Sequence, residues 1–261
     1  MNPRAYLRRI GVTGPLRPDA RTLKRLHRQH LFTVPFENLS IHMGEPVSLD
    51  LAVLYDKIVR RRRGGFCYEL NGLFAELLRR LGYRVTLLSA GVARDGGGYG
   101  PEYDHLLLLV ELDCRWLVDV GFGENFKSPL NLDAAGAQEQ GPKAYRILRR
   151  DEFHLLQERS GARRWKDSYR FTLAPHELAD FAAMCRFHQT SPDSHFTRNR
   201  VCSLATPPGR KTLSGMKLIE SGHNGSRRVR AVPDEAEYSR LLRDLFGVRL
   251  PKGPLFPQPN L

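Results

Sequence analysis

The run Arg63-Gly64-Gly65-Phe66-Cys67-Tyr68-Glu69-Leu70-Asn71 constrains this chain more than any other stretch. Leu70, Leu73, Phe74, Leu77, Leu78 and Leu81 recur at three- and four-residue spacing and make one apolar helix face. Gly82 follows the last of them and fits a C-terminal stop. The glycine pair lets the backbone turn tightly and pass close to other groups. Cys67 therefore falls in the first turn of the helix, beside unpaired amides and the positive end of the dipole. That setting lowers a thiol's pKa and favours the reactive thiolate. A small buried core residue at a helix start fits the same position, because free cysteines are among the most buried residues.

Length and composition narrow the class. The 261 residues are enough for one large domain or for two to three lobes around a shared core. No apolar run reaches the roughly 18 residues that span a bilayer. Arg4, Arg8 and Arg9 interrupt the N-terminal stretch, which has no apolar signal-peptide core, so a cytoplasmic location is expected. Cysteines stand at 67, 114, 185 and 202, with no CxxC knuckle and no disulfide framework. No metal site is expected, and a reducing compartment agrees with a working thiol. The net charge of +13 permits nucleic acid or a phosphorylated ligand as a partner. Its arginines are scattered, from Arg60–Arg63 to Arg227, Arg228 and Arg230, without a stripe or interleaved aromatics, which also fits a solvated basic surface.

The order of patterns predicts an α+β chain. Helices are expected over Arg4 to Ile10, Asp19 to His30 and Leu51 to Arg62, the last with Asp50 as N-cap. Pro35 makes the segment Val34-Pro35-Phe36-Glu37-Asn38 a loop more than a strand. Strands follow at Arg84 to Ala93, His105 to Leu112 and Trp116 to Phe122, then at Tyr145 to Arg149, Glu152 to Gln157 and Trp165 to Thr172. Such close spacing suits a small barrel or a curled antiparallel sheet, with Pro129 to Lys143 as a longer surface connection. The run from His105 is almost continuously apolar, as in a strand buried on both faces. A helix over Pro175 to Phe187, a turn at Ser191 to Ser194, four short strands between Arg200 and Ala231 and a helix from Asp234 to Phe246 complete the chain. The tail from Pro251 to Leu261 has four prolines and reads as extended.

A thiol nucleophile wants a base, and the base wants an orienting acceptor. His105 opens the buried strand and Asp119 lies near the end of the next. A two-residue turn at Asp113–Cys114 would set Leu112 opposite Arg115 and turn Asp119 away from the side bearing His105. An odd loop, such as Glu111 to Asp113 or a five-residue version, would set the two opposite each other, within reach of a hydrogen bond. A carboxylate inside Leu117-Val118-Asp119-Val120 costs several kcal/mol (roughly) unless it is paired, so it implies a buried partner.

Taken together, Arg63 to Asn71, His105 and Val118-Asp119-Val120-Gly121-Phe122-Gly123 resemble the arylamine N-acetyltransferase family. Val34 to Asn38 and Ser191 to Cys202, with Phe196-Thr197-Arg198 inside it, match as well. The resemblance runs from about residue 5 to residue 215 and is loose beyond. It implies three lobes: a helical bundle over 1–83, a β-barrel over 84–187 and an α/β lid over 188–261. It implies a cysteine-protease-like triad of Cys67, His105 and Asp119, and with it the odd loop. It implies a xenobiotic-metabolising acyltransferase that takes acetyl from acetyl-CoA, a co-substrate not permanently bound, and gives it to an arylamine or arylhydrazine by ping-pong transfer through acetyl-cysteine. Phe36, Phe122 and Val92 would line the acceptor pocket. Glu37 and Arg63 would form a buried supporting ion pair, and Glu69 and Asn71 would serve the local architecture. The Gly96 to Gly100 loop and Arg198 are candidates for the coenzyme's phosphates. A cysteine hydrolase would use the same triad, but the full motif with the Phe36 segment favours acetyl transfer. The chain carries no helix-turn-helix, zinc knuckle or exposed aromatic platform for nucleic acid.

Overall fold

A computed structural model describes residues 1–223 and 225–250. The first lobe is helical. Helix α1 (Pro3–Arg9) is followed by α2 (Ala20–Thr33), whose N-cap Asp19 accepts the Thr22 amide. The segment predicted as a loop after Pro35 is a two-residue strand, β1 (Phe36–Glu37), leading into α3 (Leu39–His42). Proline is tolerated just ahead of a strand, where its missing N–H removes no ladder bond. The predicted helix over 51–62 is shorter and divided. It runs as α4 (Leu51–Tyr55) and then widens into a π-helical turn at Asp56–Arg60. The extra residue in that turn carries Lys57 into the interior, where Nζ meets Glu69 at 2.7 Å.

Helix α5 (Cys67–Arg80) sits at the centre of the lobe and buries eleven residues from Cys67 to Leu78. Its lead-in requires glycine because of close approach. A Cβ at Gly64 would lie 1.9 Å from the Pro35 carbonyl oxygen. Glu69 caps the helix from within by accepting the Phe66 amide at 3.2 Å.

The second lobe is an antiparallel, nearly closed barrel. Its strands are β2 (Arg84–Val92), β3 (His105–Glu111), β4 (Arg115–Val118), β5 (Leu130–Asn131), β6 (Gln138–Gln140), β7 (Lys143–Arg150), β8 (Phe153–Ser160) and β9 (Lys166–Phe171). They are ordered β5-β4-β3-β2-β9-β8-β7-β6. The connection predicted over 129–143 therefore contains two short strands. Between them the Gln138 side chain closes the barrel, donating to the Asn131 carbonyl at 2.9 Å and accepting the Asn131 amide at 2.8 Å. The continuous apolar run of β3 has the expected cause. Leu106, Leu108 and Val110 pack in the core around α5, while Leu107 and Leu109 fill the barrel. The strand predicted to reach Phe122 ends at Val118, and the chain from Asp119 to Gly123 crosses to the head of α5.

A 3-10 turn (Leu178–Phe181) and α6 (Ala182–Thr190) replace the single helix predicted over 175–187. After α7 (His195–Arg198) come β10 (Val201–Thr206), β11 (Gly209–Ser214), β12 (Lys217–Gly222), β13 (Arg227–Ala231) and α8 (Glu235–Phe246). These four strands form a second sheet whose far edge is β1, with Phe36 opposite Ser203 and Glu37 opposite Cys202. Helix α8 lays Tyr238, Leu241, Leu242 and Phe246 over that sheet and stops at Gly247, whose φ is +68°. The predicted extended tail, 251–261, lies outside the described residues. Among the described residues no helix is long and apolar enough to cross a membrane.

Candidate active site

Cys67 is the first residue of α5 and is 4% exposed. One turn on, Asn71 points from the same helix toward the barrel. Its amide nitrogen donates to the Leu106 carbonyl at 2.6 Å and to Asp119 Oδ1 at 2.9 Å, and its oxygen accepts the Val120 amide at 2.9 Å. The nucleophile helix is thus tied to β3 and to the segment after β4. Gly121 makes the crossing possible, since a Cβ there would lie 2.7 Å from Cys67 Cα.

The hairpin register brings the other two groups together. Glu111 pairs with Arg115 and Leu108 with Val118 around a three-residue turn, Leu112–Cys114. The loop is odd, but it is centred one residue later than Glu111–Asp113. Continued past Val118, this register sets Asp119 opposite Leu107, with His105 diagonal to it on the same face. That diagonal is short enough. His105 Nε2 and Asp119 Oδ2 are 2.9 Å apart, with both side chains buried. The Gly121 amide adds a bond to Asp119 Oδ1 at 2.9 Å, and the Tyr169 hydroxyl donates to Oδ2 at 3.3 Å. Burial opposes the charge on Asp119, yet His105, Asn71 and the Gly121 amide together hold its carboxyl below the usual carboxylate range.

With Nε2 engaged by Asp119, Nδ1 is the imidazole nitrogen left for the cavity that His105 shares with Cys67. The ring is held edge-on by Phe122, with centroids 5.1 Å apart and planes at 78°, and tilted against Tyr169 at 5.4 Å. Burial pushes the Cys67 thiol well up, and the Leu106 amide at the sulfur only partly offsets this.

The shared cavity measures about 710 Å³. Phe36, Val92 and Phe122 all border it, with Cys67 and His105. Asp119 stands behind His105 and does not border it. Sequence reasoning missed the opposite wall, made by Met184, Phe187, His188, Ser194 and Phe196. The apolar spacing of residues 178–185 signalled a helix there but not which cavity it would face. Arg94 also borders the cavity, whereas Arg198 does not. Arg198 instead donates to the Asp193 carbonyl at 2.9 Å. The loop from Gly96 to Gly98 takes positive φ throughout and closes on itself through Arg94 N–H to the Gly98 carbonyl.

Glu37 and Arg63 lie beneath the site as a buried two-bond pair, Nε to Oε1 at 2.9 Å and Nη2 to Oε2 at 3.2 Å. Glu37 also accepts the amides of Leu39 and Gly64, fixing both chains that flank the cavity. Against the cost of burial, Arg63 and Lys57 bring its carboxyl down to about 2. Among the described residues no group of three or more His, Cys, Asp or Glu side chains is arranged to hold a metal ion.

The sequence model of a family described as N-acetyltransferase matches residues 19–254. The arylamine N-acetyltransferase, pineal gland isozyme NAT-3, of Gallus gallus is 37% identical, covering 97% of this chain and 96% of its own. The solved M. smegmatis arylamine N-acetyltransferase superposes with a TM-score of 0.88 at 34% identity, covering 95% of this chain and 92% of that one. The Mycobacterium marinum arylamine N-acetyltransferase in complex with CoA gives 0.86 at 32% identity, covering 95% and 93%.

Proposed function

The chain belongs to the arylamine N-acetyltransferase family, and from that premise we propose that it moves an acetyl group from acetyl-CoA to an aromatic amine or hydrazine through Cys67, with His105 as base and Asp119 as its orienting partner. The observation that carries this reading is the chain of contacts from Asp119 through His105 to the cavity at Cys67, pinned by Asn71. The co-substrate is supported by the CoA complex of the M. marinum relative.

Cys67 gives its proton to His105 Nδ1, so that the two rest as a thiolate–imidazolium pair, and Asp119 stabilises the imidazolium. The sulfur adds to the thioester carbonyl, and the oxyanion is met by free amides at the head of α5. The bond to coenzyme A breaks, and the leaving thiolate takes the proton from His105. The acceptor nitrogen then adds to the acetyl-cysteine, His105 removes one of its protons, and the Cys67 thiolate departs. Phe36, Phe122 and Val92 hold the aromatic acceptor. Glu37 and Arg63 support the site without taking part. The four free cysteines suit a reducing, cytoplasmic setting.

The test is intact-protein mass after brief incubation with acetyl-CoA and no amine. The wild type gains one acetyl group and loses it when an arylamine is added, while Cys67→Ala gains none. A folded wild type that gains no acetyl group sinks the proposal.

A further inference from the structure

Asp104, His188 and Ser194 form a polar strip on the cavity wall, beside Met184, Phe187 and Phe196. His188 is 4% exposed. Its Nδ1 lies 3.1 Å from Ser194 Oγ, which accepts the Phe196 amide at 3.2 Å. Its Nε2 lies 3.3 Å from Asp104 Oδ1, at ion-pair distance, and has no hydrogen-bond partner among the described residues. The second oxygen of Asp104 accepts the Val92 amide at 3.2 Å. The nearby carboxylate assigns the tautomer. A lone pair on Nε2 would face a negative oxygen, so the proton sits on Nε2 and Ser194 donates to Nδ1. Burial works against the Asp104 charge, but His188 and the Val92 amide hold its carboxyl below the usual range, so it is ionised at neutral pH. The cavity wall thus holds a buried N–H without a hydrogen-bond partner, beside an anionic acceptor without a Lys or Arg partner, both among the described residues. The chemistry of Cys67, His105 and Asp119 uses neither.

We propose that Asp104 and His188 select the acceptor by its ring substituent. They favour a group that accepts from His188 Nε2 and donates to Asp104, such as a carboxamide or hydroxyl, and disfavour a carboxylate. The inference rests on the acetyltransferase reading and names its acceptor class. A carboxamide offers its oxygen and its N–H side by side, matching both wall groups. A carboxylate leaves Asp104 facing a like charge in a poorly hydrated site.

The experiment compares kcat/KM for aniline bearing a 4-carboxamide or a 4-carboxylate, alongside the rate of acetyl-enzyme formation from acetyl-CoA alone. In the wild type the carboxamide is favoured by about 10- to 100-fold. Asp104→Asn cuts that ratio at least about tenfold, mainly because the carboxylate gains. His188→Leu cuts it because the carboxamide loses. Each ratio is taken within one preparation, so loss of folded protein cancels. A wild-type ratio near one, or a ratio unmoved in both variants, overturns the proposal. It is also overturned if both variants slow acetyl-enzyme formation while the ratio stays fixed, which assigns the strip to the acyl donor, or if Arg94→Ala alone resets the ratio. A wild type that forms no acetyl-enzyme overturns the underlying reading instead, and the two failures are told apart by mass.

Discussion

Asn71 bears no proton in the proposed chemistry, yet its removal is expected to cost both stability and rate. Asn71→Ala deletes three buried hydrogen bonds, to the Leu106 carbonyl, Asp119 Oδ1 and the Val120 amide. Asp119 Oδ1 retains the Gly121 amide. The Leu106 carbonyl and the Val120 amide lose their side-chain partner where water does not replace it. Each buried group left unsatisfied costs about 1–3 kcal/mol, so the pair costs about 4 kcal/mol. That is a large part of the roughly 5–15 kcal/mol that holds a typical domain together. At roughly 2–4 °C per kcal/mol for a chain of this size, Tm falls by about 8–16 °C. Well below the variant's own Tm, acetylation of Cys67 should be slowed by about tenfold or more, because Asp119 and His105 are no longer tied to the helix that carries the sulfur. The assay is a thermal melt paired with time-resolved intact mass. A melt within about 3 °C of the wild type, on the same scale, would mean that Asn71 is not the tie between helix and barrel.

Two further outcomes follow from the same geometry. Gly64→Ala should give little or no soluble folded protein, because the new Cβ would meet the Pro35 carbonyl oxygen at 1.9 Å, and neither backbone segment can yield. A variant with the wild-type melt would refute this. The Glu37 carboxyl titrates at about 2 in the folded chain against an ordinary 4.5, so the folded state holds that proton less tightly than the unfolded one. Its stabilisation is complete above pH 4.5 and is lost as pH falls from there to about 2. The difference is about 3 kcal/mol. Denaturant midpoints measured across that range should fall in the wild type and fall less in Glu37→Gln, and parallel curves would contradict the assignment.

What the sequence revealed depended on how local the cause was. The α5 face and the double burial of β3 follow from residue spacing, and both are present as read. The residues left the parity of the hairpin open and the family resemblance supplied the odd loop, while its centre stayed illegible because a turn signal near Asp113 does not fix which residues pair across it. The π-helical turn adds one residue inside an apolar pattern that a continuous helix fits equally well. The strand at Phe36–Glu37 was missed because its ladder is supplied by residues 202 and 203, far along the chain. At Cys67 the helix terminus is visible in sequence, whereas the burial that opposes a charge on its sulfur depends on segments folded over it from elsewhere. The strip of Asp104 and His188 joins a strand end to a distant helix, and no spacing rule links the two.

The pairing of Phe36 and Glu37 with Ser203 and Cys202 also sets a timetable for biosynthesis. The early segment leaves the ribosome long before its partner strand, and contacts so distant in sequence form late. A nascent chain halted before Val201 would hold the sulfur, the imidazole and the carboxylate, but not the strand that anchors Phe36. Competence would therefore arrive at one late moment in translation, and fragments released early would carry a reactive thiol beside an unanchored Phe36.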